Sequence, residues 1–294
     1  MKGRLVINEH RDIPLLIYIW KWKIASTASL HYKFFKNLNP TTTYNRLTRL
    51  KLKGFIQIKF DIDGRKPVWM LDKKGFKVIR HILPDLKEEG YKSENITHDL
   101  LCSAIHLGDF LLEKPENVQI ITEQQLRRYN LEDLPAWVPS KEIHRPDGYW
   151  HFEDGESGTT VALELERSRK SSTKIEKLVS FYSDFSRNFL VLWVLEGKGL
   201  QKRLIHNLEK ASENSGIHNI VQLKDFLNKG WQSKILYGPH QNMTIADFIC
   251  CKARAKLGPS QGQGLYQIIL DHHLRYRNHL QTLISSKKSK VATE

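Results

Sequence analysis

The stretch HRPDGYWHFEDGESGTTVALELERSRKSSTKIEKLVSFY, residues 144–182, decides how the chain is read. Pro146-Asp147-Gly148 is a turn sequence that sets one carboxylate at the mouth of a strand. Residues 149–152 are aromatic-rich, residues 154–158 are dense in turn formers, and residues 160–166 return as a second strand, so the unit reads as a β-hairpin. Residues two apart on a strand share a face, so Glu164 and Glu166 project together while Val161, Leu163 and Leu165 line the other face. Two carboxylates on one face repel each other unless something positive lies between them. With Asp147 across the hairpin, three oxygen donors suit a hard divalent cation, Mg2+ or Mn2+. A cation held so, near a phosphate, is the chemistry of metal-assisted phosphodiester hydrolysis. Acidic pairs on an exposed strand are commonly just solvated. Here the turn, the paired glutamates and the basic helix after them form one constellation.

Pro146-Asp147, then Glu164-Leu165-Glu166, then Lys174, Lys177 and Tyr182 resemble the PD-(D/E)XK nuclease superfamily. More narrowly, over about residues 10–231, the chain resembles the replication-relaxation type proteins of plasmids and mobile elements, in which a winged helix is joined to a restriction-endonuclease-like domain. The resemblance implies that Asp147 and Glu164 are the metal-binding carboxylates. Glu166 stands at the third motif position, usually Lys, as it does in some restriction endonucleases. In other branches that lysine comes from the following helix, where Lys174 and Lys177 stand. A carboxylate on the domain's first helix often completes such a site, and Asp99 is the match. An Asp early in a helix also simply favours the positive end of the helix dipole. The resemblance further implies partner proteins of a mobile-element machinery.

The net charge of +14 is unevenly spread. Residues 1–90 hold 19 Lys and Arg against 8 Asp and Glu, residues 91–251 hold 19 against 22, and residues 252–294 hold 8 against 2. A basic first domain, a mildly acidic middle and a basic tail point to a polyanion gripped at both ends of the chain. Cys102, Cys250 and Cys251 include no CxxC pair, which argues against zinc and a disulfide framework and fits the reducing cytoplasm. No apolar run is long enough to span a bilayer and no signal peptide is evident, so a membrane partner is not expected.

In chain order, residues 12–24 and 29–36 read as helices, and Asn39-Pro40 caps a third over 41–53. Tyr44, Leu47 and Leu50 are its inward stripe, and Thr42, Asn45, Arg46, Arg49 and Lys53 form its polar, basic face. A hairpin follows, 55–62 and 68–71, with Arg65 and Lys66 at its tip. This is the pattern of a winged helix-turn-helix over residues 1–83, with the third helix in the major groove of double-stranded DNA. Residues 84–95 read as a linker. Residues 96–243 form an αβββαβ domain of the nuclease-like kind, making the chain α/β, α+β overall. Residues 244–294 form a basic helical extension, in which His272, His273 and His279 diverge too far around a helix to share a metal. Dimerisation to read two half-sites is compatible with this plan, although no heptad seam is visible.

Two functions from different classes fit: a metal-dependent DNA endonuclease, or a non-catalytic replication or mobilisation factor or regulator that keeps a nuclease-like scaffold. Both bind DNA. Side chains at a hairpin tip reach backbone or minor groove and supply affinity more than sequence choice. Replacing Arg65 and Lys66 together by Ala is therefore expected to weaken duplex binding alike for all sequences and to lower the salt slope by roughly two. Titrations of several duplexes against salt measure this. A loss confined to one preferred sequence would contradict a phosphate role.

Overall fold

The computed structural model describes residues 7–60, 67–139, 144–154, 158–168, 171–185, 188–210, 215–253 and 269. Arg65 and Lys66, and the extension expected beyond residue 253 apart from Ile269, lie outside the described residues. The fold is mixed, α+β, and divides into two compact units. Among the described residues, the first comprises 7–82 and 91–104 with Ile269, and the second 83–90 and 105–253.

The first unit opens with α1 (Asp12–Trp22), the two-residue strand β1 (Ala25–Ser26) and α2 (Thr27–Phe34). Next come α3 (Pro40–Leu52), the hairpin β2 (Ile56–Phe60) and β3 (Pro67–Leu71), and α4 (Lys73–Ile79). Local chemistry sets these boundaries. The Ser26 hydroxyl accepts from the Ser29 N–H, and the Asn39 side chain accepts from the Thr41 N–H, with Pro40 in the first turn of α3. Asp72 caps α4 in the same way. The three strands run antiparallel in the order β1-β3-β2, and β1 was not foreseen because two residues carry no periodicity. Leu15, Leu16, Ile19, Leu47, Leu50 and Trp69 are fully buried, and the Trp69 indole N–H donates to Thr27 Oγ1. Tyr44, expected inside, is 45% exposed; Thr43 takes the inward position of that turn, and its hydroxyl meets His31. The physical reason is that Tyr44 leans edge-on to Trp69 from the surface.

The second unit is built on a five-stranded sheet. After α5 (Ile96–Leu107), whose residues from 105 onward belong to this unit, come β4 (Val118–Thr122), α6 (Glu123–Arg128), β5 (Gly148–Phe152) and β6 (Thr159–Glu166). Then follow α7 (Ser172–Ser183), β7 (Phe189–Leu195), α8 (Lys198–Lys210), β8 (His218–Gln222), α9 (Leu223–Lys229) and α10 (Ile245–Ala253). The strand order is β4-β5-β6-β7-β8; β4, β5 and β6 pair antiparallel, and β6, β7 and β8 pair parallel. β6 is therefore the central strand, where the pairing changes sense. Every residue of β7 is buried, as expected for a parallel strand within a covered sheet. Residues 83–90 add to this unit through hydrogen bonds of the Lys87 N–H to the Arg128 carbonyl and of Gln124 Nε2 to the Gly90 carbonyl. Gly148 is required where β5 begins: its φ is +143°, and a Cβ there would stand 2.6 Å from His106 Nε2. Among the described residues, no helix is long and apolar enough to cross a membrane.

An ion pair locks α1 to α3 within the first unit. Asp12 is fully buried, and Arg46 reaches it from α3 with two nitrogens while Arg11 contacts it from the side. Burial alone would raise the Asp12 carboxyl pKa, but the Arg46 hydrogen bond, the Asn8 N–H and both guanidinium charges hold it below its ordinary 3.8. The stabilisation is thus complete above that ordinary value and is lost as pH falls through the lower folded value. Asp12→Ala removes the acceptor of the half-buried Arg46 guanidinium and is expected to cost about 1–3 kcal/mol, read as a lower denaturation midpoint. A cost well under 1 kcal/mol would contradict a pair that joins the two helices.

Candidate functional site

The candidate site lies at the C-terminal half of β6. Glu164 and Glu166 do share a face, but that face is covered: Glu164 is 3% exposed and Glu166 7%. The expectation of one apolar and one open face fails because β6 is central and packed on both sides. On the Glu164 face the neighbouring positions are Ala162, then Trp193 of β7 and Ile220 of β8. Tyr182, fully buried on α7, packs edge-on to Trp193 and His218 over this face. Ile175 and Val179 complete the inner side of α7, at the spacing of an amphipathic helix. On the opposite face, Trp150 is paired with Val161 and donates its indole N–H to the His106 carbonyl.

Two side chains converge on one oxygen of Glu164. The Tyr182 hydroxyl donates to Oε1 at 2.5 Å, and His144 Nε2 meets the same atom at 2.5 Å. No described hydrogen bond reaches Oε2. Burial, and then the Glu164 charge, push the Tyr182 hydroxyl pKa far up, so it remains a donor. Tyr149, one strand away, is raised by the same two causes in the same order. His218 beneath Tyr182 is pushed down to about 4 by burial, so its ring is neutral at ordinary pH and its Nδ1 accepts from the Trp193 indole. His144 is 20% exposed at its side chain, so the cluster is closed at Glu164 and open at the histidine.

Asp147 stands one residue beyond the Gly148–Leu163 pair, opposite Glu164. Its Oδ2 accepts from the Leu165 N–H at 2.7 Å and its own N–H donates to the Leu163 carbonyl, so it prolongs the β5–β6 ladder while bringing a carboxylate to the site. Its charge also acts on Tyr182. Lys174 and Lys177 are exposed on the outer side of α7. Asp99 belongs to the first unit, where it is 5% exposed and pairs with Lys23 at 2.6 Å and the Ser93 hydroxyl at 2.6 Å. Burial would raise its pKa, but the His98 hydrogen bond and the Lys23 charge hold it down. Of the basic face of α3, Thr42, Asn45, Arg49 and Lys53 are exposed, whereas Arg46 is given to Asp12. Neither His144 nor Tyr149 carries a motif of its own in the sequence. Their signal was position alone, flanking the Pro-Asp turn.

Glu164→Ala would leave a buried hydroxyl and an imidazole without their acceptor. It is expected to destabilise by about 1–3 kcal/mol, and Glu164→Gln, which keeps an acceptor, by less. Thermal and denaturant unfolding of both variants measure this. A neutral or stabilising Glu164→Ala would contradict the hydrogen-bonded cluster. Comparison of the chain with family models, with curated proteins and with solved structures gives no match, so the assignment of function rests on this geometry.

Proposed function

We propose that the protein binds double-stranded DNA through a winged helix-turn-helix in its first unit and acts on it as a Mg2+- or Mn2+-dependent phosphodiesterase through a PD-(D/E)XK-like second unit. The observation that carries the reading is the buried Glu164 on the central strand of a mixed sheet, with Asp147 opposite it on the adjoining turn. A carboxylate is not retained in such a place for packing, because its desolvation must be offset. In the first unit, three helices followed by a β-hairpin, with Thr42, Asn45, Arg49 and Lys53 exposed on α3, support duplex binding. The excess of Lys and Arg in residues 1–90 supports it too.

Asp147, Glu164 and Glu166 offer carboxylate oxygens of the kind a hard divalent ion takes, but the ligand atoms of the three do not all lie within 4.8 Å of one another, which leaves the facing pair Asp147 and Glu164, whose Oε2 carries no described hydrogen bond. Asp147 and Glu164 would hold the ion, which when bound polarises the phosphate and acidifies a water. The chain's own contribution is positioning. Tyr182 and His144 fix the Glu164 carboxylate from one side. Held through Nε2, His144 keeps its Nδ1 for exchanging a proton with the attacking water or the leaving oxygen. The exposed Lys174 and Lys177 favour, as a second reading, a non-catalytic DNA-binding factor, because no lysine is hydrogen-bonded to Glu164 among the described residues.

Supercoiled plasmid nicking by the full chain, with Mg2+, Mn2+ or EDTA, separates the two. The expectation is ion-dependent nicking that Glu164→Gln lowers by about 100-fold or more, with duplex affinity nearly unchanged. Absence of nicking under either ion, together with melting that neither ion shifts, would overturn the nuclease reading and leave the DNA-binding factor.

A further inference from the structure

A recess of about 390 Å3 opens beside the Glu164 cluster within the second unit. It is of the size that takes a small molecule rather than a duplex. His144 lines it, so the recess and the carboxylate cluster share a residue. Its walls divide by chemistry. Leu134, Val138 and Pro139 are apolar, whereas Lys87 and Arg145 are exposed cations at its edge. Glu132 also lines it, leaving one net positive charge among these three. Glu88, beside Arg145 in charge terms, is already held by Arg128 at 2.6 Å.

Tyr149 supplies the second, independent observation. It is 2% exposed, it lines the recess, and no described residue hydrogen-bonds its hydroxyl. A hydroxyl at the wall of an open recess, with no described partner, is available to a polar group that enters it. Apolar walls, one tyrosine hydroxyl and cations at the rim suit a molecule with an apolar or aromatic body and an anionic group.

We propose that this recess receives one unpaired nucleotide of a DNA strand, its phosphate against Lys87 and Arg145 and its base and sugar against Tyr149, Val138 and Leu134. The inference rests on the DNA-directed reading above and deepens it: the substrate is a strand from which one nucleotide can leave the stack. Such displacement costs a few kcal/mol in a paired duplex and least where the base is already unpaired. The preferred substrate is therefore a bulge, a mismatch or a single-stranded junction.

The test uses the full chain and three probes, read by calorimetry: deoxyadenosine 5′-monophosphate, deoxyadenosine and inorganic phosphate. A fourth probe is a duplex bearing a bulged 2-aminopurine, read by its fluorescence. The monophosphate is expected to bind at least tenfold more tightly than either fragment. Tyr149→Phe should weaken it by about fivefold. Leu134→Trp, which fills the recess from a half-buried loop position, and Arg145→Glu at the exposed rim should each weaken it by tenfold or more. The bulged base should change its fluorescence with wild type and not with Leu134→Trp. Equal binding of monophosphate and phosphate, or monophosphate binding unaltered in both Leu134→Trp and Arg145→Glu, would overturn the recess. Monophosphate binding with a silent bulged base on bound duplex would overturn the strand as its source in favour of a free nucleotide. Monophosphate binding without any duplex binding would leave the recess standing and overturn the DNA reading.

Discussion

A carboxylate buried in the middle of a sheet is the constraint on which the second unit depends. Glu164 must be compensated where it sits, and each compensating group comes from a different part of the chain. Tyr182 ties α7 onto the sheet, and His144 ties down the segment that leads into β5. Asp147, through the Leu165 N–H, closes the ladder that places both.

Much of this unit was legible in the sequence because its signals are local. The strand expected over residues 160–166 matches β6 to within one residue, and the Pro-Asp-Gly turn placed the start of β5. The pairing of Glu164 with Glu166 on one face was also legible, since it follows from the strand period alone. What could not be read was the covering of that face. It depends on β7 and β8 lying beyond β6, and β8, with only five residues behind a helix, lacked a pattern strong enough to announce itself. His144 was silent for a similar reason: nothing in a histidine before Arg-Pro says that its ring turns back onto a strand twenty residues later.

The first unit shows the complementary lesson about charge. A basic helix face reads from sequence as a set of equivalent ligands for phosphate, yet Arg46 is spent on Asp12, thirty-four residues earlier. Spacing placed Arg46 on the same face as Arg49; only tertiary contact distinguishes the arginine that joins two helices from the one left at the surface. Tyr44 and Thr43 exchanged roles on the same helix because the smaller residue fits beneath His31 while the ring finds Trp69 from outside. These are packing choices, and helical periodicity resolves them to no better than one position.

The central claim is that the buried Glu164, with Asp147, forms an ion-binding site rather than a structural cluster. Electron paramagnetic resonance of Mn2+ titrated into the full chain tests it without reference to catalysis or DNA. The account predicts one ion bound by wild type, lost in both Glu164→Gln and Asp147→Asn while each remains folded. Equal Mn2+ binding by wild type and the two variants would contradict it.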